Sequence, residues 1–400
     1  MPGKKDMNNI HKVAVIGSGV MGSGIAALIA SSDTPVMLLD IVPEGEADRS
    51  KLAKDAIEKI KKADPAMLTH KKYVKNITPG NLEDDLDLIK ECDWIVEVVL
   101  EKLEVKQNLY KKLEEVRKDG SIISSNTSTL PLHTLVKGMP KRFRNDFCIT
   151  HFFNPPRYMR LLELVGGEDT KQEHLDNIAQ FCEVGLGKEV VHCKDTPGFI
   201  ANRIGIYWLT VAINRAMEMN VPVEVADAVM GKPVGIPKTG VFGLMDLIGI
   251  DLLPLIASSY GDTLEKEDRF FKEYKEHDLI KEMIESGYTG RKGKGGFYRL
   301  NKEDGKKVKE AKDLKSGEYS PADKPKLASV EAAKGGLQKL VAHEDMGGSY
   351  ARAVLFETLS YAASLVPEIS DDLASVDAAM RAGYNWKYGP FELIDRWKRN

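Results

Sequence analysis

The stretch "VAVIGSGVMGSGIA", residues 13–26, sets Gly17, Gly19 and Gly22 between a β-branched run and a run of small residues. In a strand–turn–helix of this kind, the first glycine allows the tight turn. The second lets the backbone approach a pyrophosphate, and the third lets the helix pack close to the strand. Val20 and Met21 lie between the last two glycines and belong to the same turn. The helix that starts there aims its free N–H groups and the positive end of its dipole at the phosphates. A second apolar run, "VMLLD", ends at Asp40. A carboxylate in that place can accept bonds from both ribose hydroxyls. A 2′-phosphate would be repelled there, and no Arg follows within the next few positions to offset it, so NAD is expected rather than NADP.

Working outward from this unit, short β-branched runs alternate with long charged stretches as far as residue 195. The runs are "VAVIG", "VMLLD", "WIVEVV", "SIISS", "FCITHFF", "RLLELV" and "EVVHC". Such alternation predicts βαβ units and a mostly parallel sheet, with antiparallel pairing among the last three runs. The texture changes at "KDTPGF" (194–199), where a capping Asp195 or Thr196 precedes Pro197 and strand signals fade. The expected fold is therefore α/β, a Rossmann-type domain over 1–195, followed by a duplicated all-α C-terminal domain. The first helical copy is expected over 196–298, a charged linker or exposed hairpin over 299–326, and a second, shortened copy over 327–400. The duplication is read from "VADAVMGKPVGIPKTGVFGLMDLIG" (225–249) against "SVDAAMRAGYNWKYGPFELIDRWK" (375–398), which match Asp227 to Asp377, Phe242 to Phe391 and Asp246 to Asp395. The first copy runs on to "GGFYRL" while the second stops, so the C-terminus reads as cut short. The second copy's apolar residues are expected to be covered by the first helical unit.

Composition is that of an ordinary globular protein, with 42% hydrophobic and 29% charged residues and a net charge of −3. That balance offers no basic surface for nucleic acid or lipid. Four scattered cysteines include no C-x-x-C pair, so neither a disulfide framework nor a metal site is expected. The basic N-terminal arm lacks an apolar signal-peptide core, and the most apolar stretch, 244–257, is broken by two Asp. A cytoplasmic location without a membrane span is the expectation.

The chemistry is expected at "THFFNPPRYMRLLELV" (150–165). His151 falls where a strand leaves the sheet, and ligands of open α/β sheets bind at the carboxyl ends of strands. Pro155 and Pro156 stiffen the turn, and the chain returns so that Glu163 can reach the imidazole. On the residues alone the pair is either a general base with its orienting carboxylate or a buried, satisfied ion pair.

"GSGVMGSGIA", "SNTSTLPL", "HFFNPPRYMRLLELV", "KDTPGFIANR" and "GRKGKGGFY" occur in this order over most of the chain. Together they resemble the NAD-dependent 3-hydroxyacyl-CoA dehydrogenase family of fatty-acid β-oxidation. The doubled C-terminal unit resembles the larger members in which an enoyl-CoA hydratase domain is joined to the dehydrogenase; no hydratase-like region stands in this sequence. The resemblance implies His151 as the general base, Glu163 as its orienting carboxylate and Ser128 as the hydroxyl that bonds the substrate oxygen near the nicotinamide. It implies Asn202 as the amide facing the acyl thioester, Asn154 beside the nicotinamide, and Glu101, Lys106 and Lys292 as further cofactor contacts. It also implies a 3-hydroxyacyl-CoA substrate, a homodimer, and a hydratase as partner or fused domain. The segment after Asp40 departs from the family: Ile60 falls about where its smaller members carry a CoA-contacting Ser, so the CoA tail must be held differently. Two other readings stay open, namely an NAD enzyme for another β-hydroxyacid and a non-catalytic binding protein on the same scaffold.

Overall fold

The computed structural model describes residues 9–303 and 306–398, and the chain divides between Phe199 and Ile200 into two compact units.

The first unit is built on eight strands: β1 (Val13–Ile16), β2 (Val36–Asp40), β3 (Ile77–Asn81), β4 (Trp94–Glu97), β5 (Ile122–Ser125), β6 (Phe147–Phe152), β7 (Leu161–Gly166) and β8 (Glu189–Cys193). They form one sheet in the order β3-β2-β1-β4-β5-β6-β7-β8. Pairing is parallel from β3 to β6, β7 runs antiparallel to β6, and β8 follows β7 in parallel. Every residue of β1 and β4 is buried. Strands covered on both faces need apolar side chains at every position, which is why these runs read as continuous rather than alternating. The helices are one-sided. Lys51–Lys62 buries Ala53, Ala56, Ile57 and Ile60, and Leu103–Val116 buries Lys106, Leu109, Tyr110 and Leu113, the three-and-four spacing of a single face. The chain order turns outward on both sides of β1, so the carboxyl ends of β1 and β4 border the crevice in which such sheets bind ligands.

The second unit is centred on the helix Ala201–Glu218, against which Met346–Ser364 packs. Tyr207 and Tyr361 stack with centroids 3.8 Å apart, and Trp208 meets Trp386 edge-on at 5.3 Å. The Tyr350 hydroxyl donates to Ala212 O at 2.9 Å. The second copy thus lies over the first, and the fit is close: a Cβ on Gly205 would stand 2.0 Å from the Tyr384 ring. The duplication is visible in its capping. Asp227 accepts the N–H groups of Val241, Phe242 and Gly243, while Asp377 accepts those of Phe391 and Glu392.

Two expectations need correction. The domain break falls at 199/200 rather than 195/196, and both helical copies belong to one unit. Of the two forms expected for the charged stretch 299–326, it takes the hairpin, and a third short strand joins it beside the otherwise helical copies. Strands β9 (Tyr298–Glu303), β10 (Lys306–Lys312) and β11 (Tyr319–Pro321) form an antiparallel sheet in the order β11-β10-β9. Its charges serve the pairing: Arg299 bonds Glu310 at 2.6 Å across the strands and lies 3.9 Å over the Tyr319 ring, and Lys309 lies 3.8 Å over Tyr298. Asp246 fixes the start of β9 by accepting the Phe297 and Tyr298 N–H groups. The apolar stretch 244–257 is split between Phe242–Ile248 and Leu252–Thr263, bent by 82°. Among the described residues no single helix is long and apolar enough to cross a membrane.

Candidate active site

The glycine turn has the geometry its spacing demands. Gly17 sits at φ +104° and donates to Leu39 O at 2.8 Å; a Cβ there would meet Val98 O at 2.4 Å. A Cβ on Gly22 would stand 1.8 Å from Gly17 O, which enforces the close helix–turn contact. A Cβ on Gly19 would meet nothing within 4 Å, so this side of the turn is open to approach. The helix Val20–Ala30 begins at once, with Val20 68% exposed and Met21 half-buried. At the end of β2, Asp40 accepts the Ser18 N–H (2.6 Å), the Ser18 hydroxyl and the Ile41 N–H (2.7 Å), tying the glycine turn to the ribose position. These residues fit a dinucleotide: a bare turn for the pyrophosphate and a half-buried carboxylate beside it.

His151 and Glu163 face each other across the antiparallel β6–β7 pair, as direct register partners. Nδ1 of the imidazole lies 2.7 Å from Glu163 Oε2, with Glu163 fully buried and His151 5% exposed. A carboxylate on Nδ1 fixes the tautomer and leaves Nε2 as the nitrogen for proton transfer. The ring also lies 4.6 Å from the Phe153 ring and 5.5 Å from the Phe199 ring. Phe199, at φ +49°, ends the "TPGF" turn and is buried.

Ser128 lies in the loop after β5, half-buried. Asn126 fastens that loop to both neighbouring strands: its N–H donates to Glu97 O, and its side-chain oxygen accepts the N–H of Phe152, the residue after His151, at 2.9 Å each. Glu101 accepts the Thr127 hydroxyl and the N–H groups of Ser128 (3.2 Å) and Thr129 (3.3 Å). Burial pushes the Glu101 carboxyl up, but Lys106 and the Thr127 and Ser128 donors outweigh that and hold it below its ordinary value. Lys106 and Glu101 are no ordinary surface pair. The Lys106 side chain is 1% exposed, and its ammonium lies 2.7 Å from Glu97 and 3.1 Å from Glu101.

Glu97 was absent from the residues singled out by sequence. It is fully buried and accepts Lys106, the Tyr110 hydroxyl and the Ser125 hydroxyl at 2.7 Å each, and the Val99 N–H at 2.8 Å. The signal for it was a lone carboxylate inside the apolar run "WIVEVV". Asn154 is exposed in the turn after β6. That turn is pinned by Lys188, which donates to Pro156 O and Met159 O, and by Arg157, which donates to Ala66 O and Leu68 O. Two expected site residues lie in the second unit: Asn202, on the first turn of Ala201–Glu218, and Lys292, paired with Asp251 at 2.7 Å. Ile60 is 2% exposed in the core of the first unit.

Residues 12–196 match the family model "3-hydroxyacyl-CoA dehydrogenase, NAD binding domain", and residues 198–300 match "3-hydroxyacyl-CoA dehydrogenase, C-terminal domain". A Rickettsia felis protein named as a trifunctional enzyme of a fatty acid oxidation complex is 45% identical over 97% of this chain and 53% of its own length. The chain thus spans about half the length of the curated relatives it matches first. A Deinococcus radiodurans protein named as a 3-hydroxyacyl-CoA dehydrogenase is 38% identical over 74% of this chain and 84% of its own. The solved 3-hydroxybutyryl-CoA dehydrogenase of Escherichia coli shares the fold, with a TM-score of 0.71 at 24% identity, covering 96% of this chain and 90% of that one.

Proposed function

Because the chain belongs to the 3-hydroxyacyl-CoA dehydrogenase family, we propose that it oxidises (3S)-3-hydroxyacyl-CoA to 3-oxoacyl-CoA with NAD, as a step of fatty-acid oxidation. The observation that carries this reading is the buried His151–Glu163 pair, 2.7 Å apart at the carboxyl end of β6. In this reading His151 Nε2 takes the proton of the 3-hydroxyl while the C3 hydride departs. Glu163 steadies the imidazolium that results. NAD, when bound, supplies the hydride acceptor. The Gly17–Gly22 turn and Asp40 hold the nucleotide, and Ser128 donates to the substrate oxygen. Asn154 lines the nicotinamide side, Asn202 faces the thioester, and Glu101, Lys106 and Lys292 complete the cofactor surround. The test is NADH formation by the purified chain from NAD and 3-hydroxybutyryl-CoA, extended through longer acyl chains. No NADH from any acyl length would reject the reading in favour of another β-hydroxyacid or of binding alone.

The Rickettsia relative, named as a trifunctional enzyme, supports further activities beside the dehydrogenase, as partner or fused domain; the resemblance of the doubled C-terminal unit makes an enoyl-CoA hydratase the first to test. A cytoplasmic site of action completes the reading. A homodimer would need a face other than the helix Ala201–Glu218, whose apolar side the second copy already occupies; light scattering of the purified chain decides its mass.

A further inference from the structure

We propose that Glu97 is a positioning residue, one that sets the substrate-side loop through Lys106 and Glu101. The proposal rests on the dehydrogenase reading for its kinetic consequence, though not for its structural one. Glu97 ends β4 and is the register partner of Ile16 on β1 and of Ser125 on β5. It therefore stands between the glycine turn and the loop that carries Ser128. Its carboxylate is fully buried, and the four donors that reach it leave it anchored from every side.

Two carboxylates share one ammonium here. Lys106 bridges Glu97 at 2.7 Å and Glu101 at 3.1 Å, and no more than 1% of the Lys106 side chain is exposed. Glu101 in turn takes the Thr127 hydroxyl and the Ser128 and Thr129 N–H groups. The chain of contacts runs from the sheet, through one cation, to the backbone of the residue expected to touch substrate. A lysine committed in this way acts on the cofactor side chiefly by ordering the loop. Buried ion pairs add little net stability against apolar replacements of similar size, whereas breaking one by removing a single partner is costly. That asymmetry separates positioning from mere structural support.

The experiment compares the wild type with Glu97→Gln, Lys106→Met and the double variant Glu97→Gln/Lys106→Met. Three quantities are read: the melting temperature, amide hydrogen exchange at Thr127, Ser128 and Thr129, and kcat with KM for NAD. In Glu97→Gln the melting temperature falls and the three amides lose protection. Its kcat is expected to drop about ten- to a hundredfold, the scale of a misplacement of about 1 Å. In the double variant no buried charge is left unpaired, so the melting temperature recovers towards the wild type. Loop protection and kcat stay low, because Glu101 has lost its anchor. Recovery of kcat and loop protection together with the melting temperature would overturn the proposal, since Glu97 would then act through stability alone. Unchanged amide exchange in Glu97→Gln would overturn it as well. Amide exchange needs no substrate, so a chain inactive on every 3-hydroxyacyl-CoA yet released at the loop by Glu97→Gln would sink the dehydrogenase reading and leave this one standing.

Discussion

Replacing Glu163 by Gln removes one charge from the His151 pair while keeping its shape. The amide can still accept from Nδ1 at the observed 2.7 Å, and its site is closed to water, with Glu163 fully buried. What is lost is the attraction between carboxylate and imidazolium. Two unit charges about 4 Å apart attract by about 4 kcal/mol at the effective dielectric of about 20 that suits protein sites. If the proton is half transferred to His151 in the transition state, about half of that, ~2 kcal/mol, is missing from the variant, a loss of about thirtyfold in kcat. Saturating 3-hydroxybutyryl-CoA and NAD, with NADH absorbance as the readout, isolates kcat from binding. NADH affinity, followed by its fluorescence, should stay near the wild type, because the glycine turn and Asp40 are untouched. A kcat within about threefold of the wild type, in a variant of unchanged melting temperature, would refute the reasoning, since the charge would then take no part in proton transfer. Histidine 151 itself gives the outer bound: His151→Gln should lower turnover by at least about a hundredfold.

NADP should serve far less well than NAD in kcat/KM, because Asp40 repels a 2′-phosphate, and Asp40→Ala should narrow that gap mainly by weakening NAD; equal efficiency of both cofactors in the wild type would reject the ribose role. Asp227 gives a pH signature. Burial pushes its carboxyl up to about 7 from 3.8, against the N–H groups of Phe242, Gly243 and Val241 and the Tyr298 hydroxyl that favour the anion. The folded state therefore binds this proton more readily than the unfolded chain, so its contribution to stability grows as pH falls from above the folded value towards the unfolded one. The melting temperature of the wild type relative to Asp227→Asn should accordingly rise between about pH 8 and about pH 5, and a flat difference would show that the group does not titrate there. Deleting residues 327–400 should lower the melting temperature by calorimetry, because it strips Tyr361 from the Tyr207 ring and from Arg203 Nε, which it meets at 2.7 Å; an unchanged transition would make the second copy an independent appendage.

Much of the first unit could be read along the chain because its signals are local. Gly17, Gly19 and Gly22 answer to contacts within a single strand–turn–helix, and Asp40 closes the next strand. The His151–Glu163 pair was legible for a related reason: β6 and β7 are sequence neighbours joined by one stiff turn, so twelve residues of separation suffice to face the two side chains. Glu97 was not legible, because its meaning depends on a helix and a second strand that come later in the chain. An isolated carboxylate in an apolar strand says that something compensates it, but not what. The β9–β11 sheet was hidden differently. Its lysines and glutamates, counted as composition, do not separate a solvated tether from a hairpin; laid on a pleated ribbon, Arg299 pairs with Glu310, and Arg299 and Lys309 lie over tyrosine faces.

The β6–β7 register also dictates what the turn between those strands can tolerate. Side chains alternate across a sheet, so shifting β7 by one residue would bring Leu162 or Leu164 opposite His151 and carry Glu163 to the other face. Shifting it by two would restore the face but present Leu161 or Val165. Every slip strands a buried imidazole beside hydrocarbon, where an unsatisfied polar group costs about 1–3 kcal/mol. The register therefore fixes the number of residues over 153–160, unless an added residue is looped out whole. A single-residue insertion there that shifts the register should abolish the proposed activity while leaving the glycine turn able to take up nucleotide.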